Sequence, residues 1–353
     1  MKIAVIITSL RDKGPIIVAH DLIEGLMKKG HLCDVYYFKD GGDLEFRCKT
    51  RKISFFSNIN FKSYDIIHCH GLLPDLFILF RKPLLCKTPV VTTFHSYIFR
   101  DHYYQYGKYL YNITSYLVLA STIRDNKIIT LSKDAMAYYS KYINSSKLTY
   151  AYNTRICNTS LPLDSEIITK LTKFKGNSTL IGSNCVISEL KNLSAIIKSL
   201  KHLPNFKFCI IGDGEWRTEL EKIIKEYGVQ EKVLFLGKQP EAHRFLPFYD
   251  IYAIPSKSEG FPLAMIEAAI YKKAILASNL PVFKEIFNES QISTFDLEDE
   301  TTIIHAIKRL EPNLKIYGEN AYKRYRECFS LESFVNRHLY IYQKVIDESN
   351  TIL

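Results

Sequence analysis

The sequence predicts an α/β protein built from two doubly wound, parallel sheets. Three observations carry this expectation. Apolar β-rich runs alternate with helical stretches along nearly the whole chain. The series restarts past the middle. The length, 353 residues, exceeds one ordinary core and suits two of about 150–180 residues each. A hydrophobic content of 47% supports packed α/β cores and excludes disorder.

In the first half, "KIAVIIT" (2–8) is a continuous run of the kind buried on both faces of a parallel sheet. The helix after it places Val18, Leu22 and Leu26 at four-residue spacing, with Pro15 in its first turn and Gly30 as its C-terminal stop. Strands are expected at "CDVYYF" (33–38), "YDIIHCH" (64–70), "PVVTTFH" (89–95) and "KIITLS" (127–132). In the second half they are expected at 178–184, 206–214, 232–237, 250–256 and 273–278. The predicted domains are 1–160 and 161–329, followed by a helix over 330–353 that packs back on the first domain. Ser330 is its candidate N-cap, and Val335, Leu339, Tyr342 and Ile346 mark one apolar face.

No apolar run approaches the roughly 20 residues of a membrane span. The opening "MKIAVIITSL" lacks a small-residue cleavage site, so a buried first strand is expected and not a signal peptide. Eight scattered cysteines, without Cys-x-x-Cys or metal-like spacing, suggest reduced thiols and a cytoplasmic protein. The net charge of +10 sits entirely on residues 1–160, which points that half at an anionic partner. No recognised module or glycine–aromatic pattern accompanies the charge, so nucleic acid is not the expected partner. Residues 96–116 hold seven tyrosines with Arg100 and Lys108. Such a segment is either ordinary core or a peripheral contact with an anionic membrane at the inner face of the cell.

Two turns beyond predicted strands suit a ligand. "IIGDG" places Gly212 and Gly214 at one strand end, and "IPSKSEGFPL" places Ser256, Ser258, Glu259 and Gly260 at another. With Pro262 in the first turn of the next helix, the N–H groups of Gly260, Phe261 and Leu263 are expected to face the ligand and, with the helix dipole, to form a diphosphate site. Glu267 lies a turn and a half further on, where a carboxylate would repel phosphate and instead accept from paired sugar hydroxyls. Gly14, at the mouth of the first helix, allows close backbone approach.

The segment "SKSEGFPLAMIEAA" (256–269), with "IIGDGEWRTELEKI", "VLFLG" and "KAILAS", resembles the retaining, nucleotide-sugar-dependent glycosyltransferases of family 4. "GHLCDVYYF", "DIIHCHG", "VVTTFHS" and "ITLSKDA" carry a thinner likeness in the first half. The resemblance implies the GT-B fold, two Rossmann-like domains facing a central cleft. It matches Glu259 and Glu267 to a Glu-x7-Glu pair that binds the donor sugar and the nucleotide ribose. It gives Lys191 the diphosphate grip, and His95 a place near the sugar's 6-position and the transferred carbon. Two positions depart from the family pattern: Val186 stands where it carries arginine, and Gly14-Pro15 replaces its double glycine.

The expected donor is a nucleoside-diphosphate sugar, a UDP-sugar in the first instance, with no separate cofactor. The expected acceptor is a polyprenyl-diphosphate-linked or other glycan of O-antigen or capsule assembly. The chain has no Asp-x-Asp, so metal independence is expected. Two other readings stand beside this one. The first is a degenerate GT-B protein that binds nucleotide sugar or glycan without turnover; the second is an epimerase of related fold.

Overall fold

The computed structural model describes residues 1–11, 13–42, 44–159, 162–299 and 301–351. The chain forms two compact units: Met1–Ile156 together with the segment from Phe329 onward, and Cys157–Cys328. The predicted join at 160/161 lies outside the described residues.

The first unit holds β1 (Lys2–Ser9), β2 (Leu32–Lys39), β3 (Lys49–Lys52), β4 (Ile66–His70), β5 (Val90–Phe94), β6 (Lys127–Thr130) and β7 (Leu148–Tyr150). Their order is β3-β2-β1-β4-β5-β6-β7, with parallel pairing throughout. The second unit holds β8 (Thr179–Asn184), β9 (Phe206–Ile211), β10 (Val233–Phe235), β11 (Ile251–Ile254), β12 (Ala274–Ser278) and β13 (Ser293–Phe295). Their order, β10-β9-β8-β11-β12-β13, is again parallel. Both units are thus doubly wound. In each, strand order reverses direction beside the first strand, between β1 and β4 and between β8 and β11. Ligands of such sheets bind at that reversal, beyond the carboxyl ends of the strands.

The first helix, Gly14–Lys28, buries Val18, Leu22 and Leu26. Gly30, at φ +81°, closes it with bonds from the Gly30 N–H to the Met27 carbonyl and from the His31 N–H to the Leu26 carbonyl. The last helix, Leu331–Thr351, is opened by Ser330, whose Oγ accepts from the Ser333 N–H. Its buried face is Phe334, Val335, His338, Ile341, Tyr342 and Val345, so Leu339 and Ile346 lie at its margin. It packs on the first helix at Gly25, where an added Cβ would stand 2.2 Å from Val335 Cγ2.

The tyrosine-rich segment forms the helical stretch Ile98–Ser121, interrupted at Gly107, whose φ is 72°. Tyr97 and Phe99 are buried, whereas Tyr103, Tyr104, Tyr106, Tyr109 and Tyr116 are exposed, so most of these rings are not core. Beyond it Asp125 is buried with neither carboxyl oxygen hydrogen-bonded. Burial pushes its pKa up to about 7 against the opposing pull of Lys147, Lys82 and Arg124. Asp75 is buried close to it and accepts from the Thr92 hydroxyl at 2.8 Å.

Candidate functional site

In the second unit the segments following β8 and β11 come together at the reversal point. The Lys257 N–H donates to the Leu190 carbonyl at 2.8 Å, and Lys257 Nζ reaches Glu189 at 2.8 Å. This strap brings Lys191, on the turn Glu189–Lys191, to the loop that carries Glu259. Lys191 Nζ donates to Glu259 Oε1 at 2.5 Å, and the buried Ser256 hydroxyl donates to the same oxygen at 2.7 Å. The Ser278 hydroxyl, on the neighbouring strand, holds the Ser256 carbonyl at 2.6 Å.

Glu267 lies in the helix Leu263–Ile270 and is half-buried. Tyr252, on β11, ties the two glutamates to one place. Its hydroxyl is driven well above the usual phenol range by burial first, then by Cys185 and Glu267, with Glu259 adding to the effect. Cys185 is pushed up to about 11 by burial, with Lys191 pulling it down and Glu259 raising it. Lys191 and Glu259 therefore meet beside the half-buried Cys185 and the buried Tyr252, with Glu267 close enough to act on the Tyr252 hydroxyl.

One part of the expected phosphate cradle is different. Pro262, at φ −82° and ψ 83°, is the centre of an inverse γ-turn and precedes the helix, so it does not occupy the helix's first turn. The Leu263 N–H consequently donates to the Phe261 carbonyl at 3.0 Å and is not free for a ligand. Proline at 262 has no N–H to offer. The Gly260 N–H has no hydrogen-bond partner among the described residues.

Gly212 and Gly214 have a packing duty. A Cβ at Gly212, whose φ is +135°, would stand 1.8 Å from the Cys185 carbonyl oxygen, and one at Gly214 would stand 2.1 Å from that of Ile187. Each loop also holds the other by hydrogen bonds, from the Cys185 N–H to Ile211 and from the Ile187 N–H to Asp213. The glycines thus let the turn after β9 press against the stretch that leads to Lys191. Val186, between these two pinned residues, is 70% exposed.

His95 and Gly14 belong to the first unit and are described with it. Beyond the ends of β1, β4 and β5 lies a cavity of about 490 Å³, lined among others by Arg11, Lys13, Pro15, His70, His95 and Tyr106. Gly14 opens the first helix between Lys13 and Pro15. His95 is half-buried at this cavity, and its Nε2 lies 2.9 Å from Nδ1 of the buried His70. Next to His70, His68 is held by the Tyr342 hydroxyl at 2.6 Å and the Thr93 hydroxyl at 2.7 Å. The pairing of His70 with His95 has no sequence signal stronger than two histidines ending adjacent strands.

Residues 14–154 match the family model described as Glycosyltransferase Family 4, and residues 164–324 match that described as Glycosyl transferases group 1. The chain is 27% identical over 354 residues to the O-antigen biosynthesis glycosyltransferase WclY of Escherichia coli, covering 99% of both chains. It is 23% identical over 302 residues to an Escherichia coli UDP-Gal:alpha-D-GlcNAc-diphosphoundecaprenol alpha-1,3-galactosyltransferase, covering 81% of this chain and 76% of the other. Among solved structures, Anabaena HepE in complex with UDP superposes with a TM-score of 0.82 at 15% identity, covering 98% of this chain and all of that one. WaaG, a glycosyltransferase involved in lipopolysaccharide biosynthesis, superposes with a TM-score of 0.71 at 14% identity, over 96% and 99% of the two chains.

Proposed function

The chain belongs to the GT-B glycosyltransferases, and from that premise we propose that it transfers a sugar, with retention of the anomeric configuration, from a nucleoside-diphosphate donor to a glycan acceptor in surface polysaccharide assembly. The observation that carries this reading is the convergence of Lys191, Ser256, Glu259 and Glu267 at the reversal point of the second sheet. Glu259 takes the donor sugar's hydroxyls, Glu267 the ribose pair, and Lys191 with the Gly260 N–H the diphosphate. Lys191 then turns from Glu259 toward the phosphate, and its charge stabilises the leaving group as the glycosidic bond breaks.

In this reading transfer proceeds on one face of the sugar, with the leaving phosphate accepting the acceptor's proton. Charge neutralisation by Lys191 replaces a metal ion.

The first unit takes the acceptor, and His95 hydrogen-bonds a substrate hydroxyl there. A diphosphate-linked acceptor suits the positive charge of that half and the cations Arg11 and Lys13 at its cavity. The WclY relative's role in O-antigen biosynthesis and the galactosyltransferase's diphosphoundecaprenol substrate support a lipid-linked glycan. HepE's complex with UDP supports a UDP-sugar donor. Among the described residues no helix is long and apolar enough to cross a membrane. The exposed rings of Tyr103, Tyr104, Tyr109 and Tyr116 with Lys108 support a peripheral contact with anionic lipid at the inner membrane face.

The test is to incubate the purified chain with UDP-, GDP-, ADP- and TDP-sugars, with and without a polyprenyl-diphosphate glycan. Acceptor-dependent transfer with an α-linked product is expected. Donor binding without transfer to any acceptor would make the protein a binding module, and an inverted product would remove the retaining mechanism.

A further inference from the structure

His70 is 1% exposed, and its Nε2 is buried without a hydrogen-bond partner. Its other nitrogen, Nδ1, lies 2.9 Å from His95 Nε2. The His70 ring also lies against His68, with centroids 4.2 Å apart. Burial pushes His70 well below the usual imidazole range, with His68 and His95 adding to it. Burial likewise takes His95 down to about 3. Both rings are therefore neutral at physiological pH, and each carries one N–H.

Only two arrangements of these protons make the hydrogen bond. If His95 Nε2–H donates, His70 must carry its own proton on Nε2, leaving a buried N–H with no acceptor. If His70 Nδ1–H donates, the buried Nε2 is a bare lone pair. Orphaned buried N–H groups are the rarer and costlier of the two. The second arrangement also settles the remaining nitrogen of His95, which has no described partner and stands on the half-buried ring at the cavity.

We propose that His70 is a positioning residue that holds His95 in its Nδ1–H form, so that the first unit's cavity is offered a hydrogen-bond donor. The ligand group it fits is an oxygen acceptor, either a sugar hydroxyl taken through its lone pair or a phosphate oxygen. The inference deepens the proposed transferase reading and rests on it for the role of His95, whereas the proton's location does not depend on activity.

Nitrogen-15 NMR of the full chain labelled at its histidine rings reads the tautomer directly. The expected result is a protonated Nδ1 and an unprotonated Nε2 on His95, assigned by loss of the signals in His95→Ala. In His70→Leu the His95 proton should move to Nε2, with kcat/KM for transfer falling on the order of tenfold, as for one lost hydrogen bond. In His70→Asn, whose side-chain N–H stands near the place of the ring Nδ1, both the tautomer and the rate should be retained. An Nε2–H form in the unsubstituted protein, or an unchanged tautomer in His70→Leu, overturns the proposal. If His70→Leu does not fold, the unsubstituted protein and His70→Asn still decide it. Unchanged turnover in His95→Ala would instead overturn the catalytic part given to His95 and leave the tautomer result standing. Comparing a phosphate-bearing acceptor with its dephosphorylated glycan separates the two ligand groups, since only the former should lose affinity in His70→Leu if a phosphate oxygen is the acceptor.

Discussion

Lys191 Nζ and Ser256 Oγ both donate to one carboxylate oxygen, Glu259 Oε1, and Glu259 Oε2 has no described partner. One oxygen of the pair is thus fixed by the protein and the other is available to a ligand hydroxyl. Glu259→Ala removes both functions. The expected outcome is a loss of at least about 100-fold in kcat for transfer in a chain that still folds, with Tm lowered because the Lys191 and Ser256 bonds to a carboxylate only 12% exposed are lost. Normal turnover in this variant would refute the assignment of the donor sugar to Glu259.

Lys191→Ala is expected to lower kcat by about 100- to 1,000-fold while donor affinity falls less, since its charge acts most strongly on the leaving phosphate. Steady-state kinetics against donor concentration separates the two parameters. Lys191→Arg should not restore the rate, because a planar guanidinium does not replace a compact ammonium seated against Glu259 and Ser256.

Gly212→Ala places a methyl 1.8 Å from the Cys185 carbonyl oxygen at a φ of +135°. Backbone must move on both sides of the contact, and a loss of about 3 kcal/mol is expected, read as a lowered Tm. Because Cys185 leads into the Lys191 turn, donor binding should weaken in the same variant. A normal Tm would show that the two loops are not in contact.

The buried Asp125 makes stability depend on pH. Its folded pKa of about 7 lies above the ordinary value of 3.8. Between those values the unfolded chain has released the proton that the folded chain keeps, so stability falls as pH rises through this window and stays low above it. Asp125→Asn should remove Asp125's share of that slope and leave the share of the neighbouring Asp75, whose pKa is also raised by burial. Its Tm should exceed the parent's by several degrees at pH 8, with the gap closing toward pH 4. Thermal scans across that range check it, and a parallel dependence in parent and variant would count against a buried, protonated Asp125.

Transfer should proceed unchanged in EDTA, because Lys191 supplies the charge that a divalent ion supplies elsewhere. Activity that disappears in EDTA and returns on adding Mg²⁺ would overturn this.

The sequence made the long central strands legible because they are continuous β-branched runs buried on both faces, as at Ile3–Ile7 and Val90–Phe94. It concealed β3, whose "KTRK" is polar and exposed throughout, and the three-residue strands β7 and β13, which are too short for any period to register. At the site, Glu259 and Glu267 could be named from the loop-and-helix pattern around them, and Lys191 from the family resemblance. The γ-turn at Pro262 could not, because proline fixes φ but leaves ψ open between a helical start and this turn. The packing duty of Gly212 stays hidden for a related reason. A glycine at a strand end announces close approach, but not whether its neighbour is a ligand or the protein's own carbonyl. The His70–His95 bond depends on the adjacency of β4 and β5, which no local pattern states.

The Tyr342–His68 bond spans 274 positions, and the whole of Cys157–Cys328 is threaded between its ends. On the ribosome, the segment that covers Gly25 and caps the β4 histidines emerges only after the intervening unit has been made. Until then the early part of the chain must wait with an apolar seam open to water. Nascent protein should therefore be most vulnerable to aggregation and holding chaperones late in synthesis, and a chain cut short before Leu331 would be left permanently in that state.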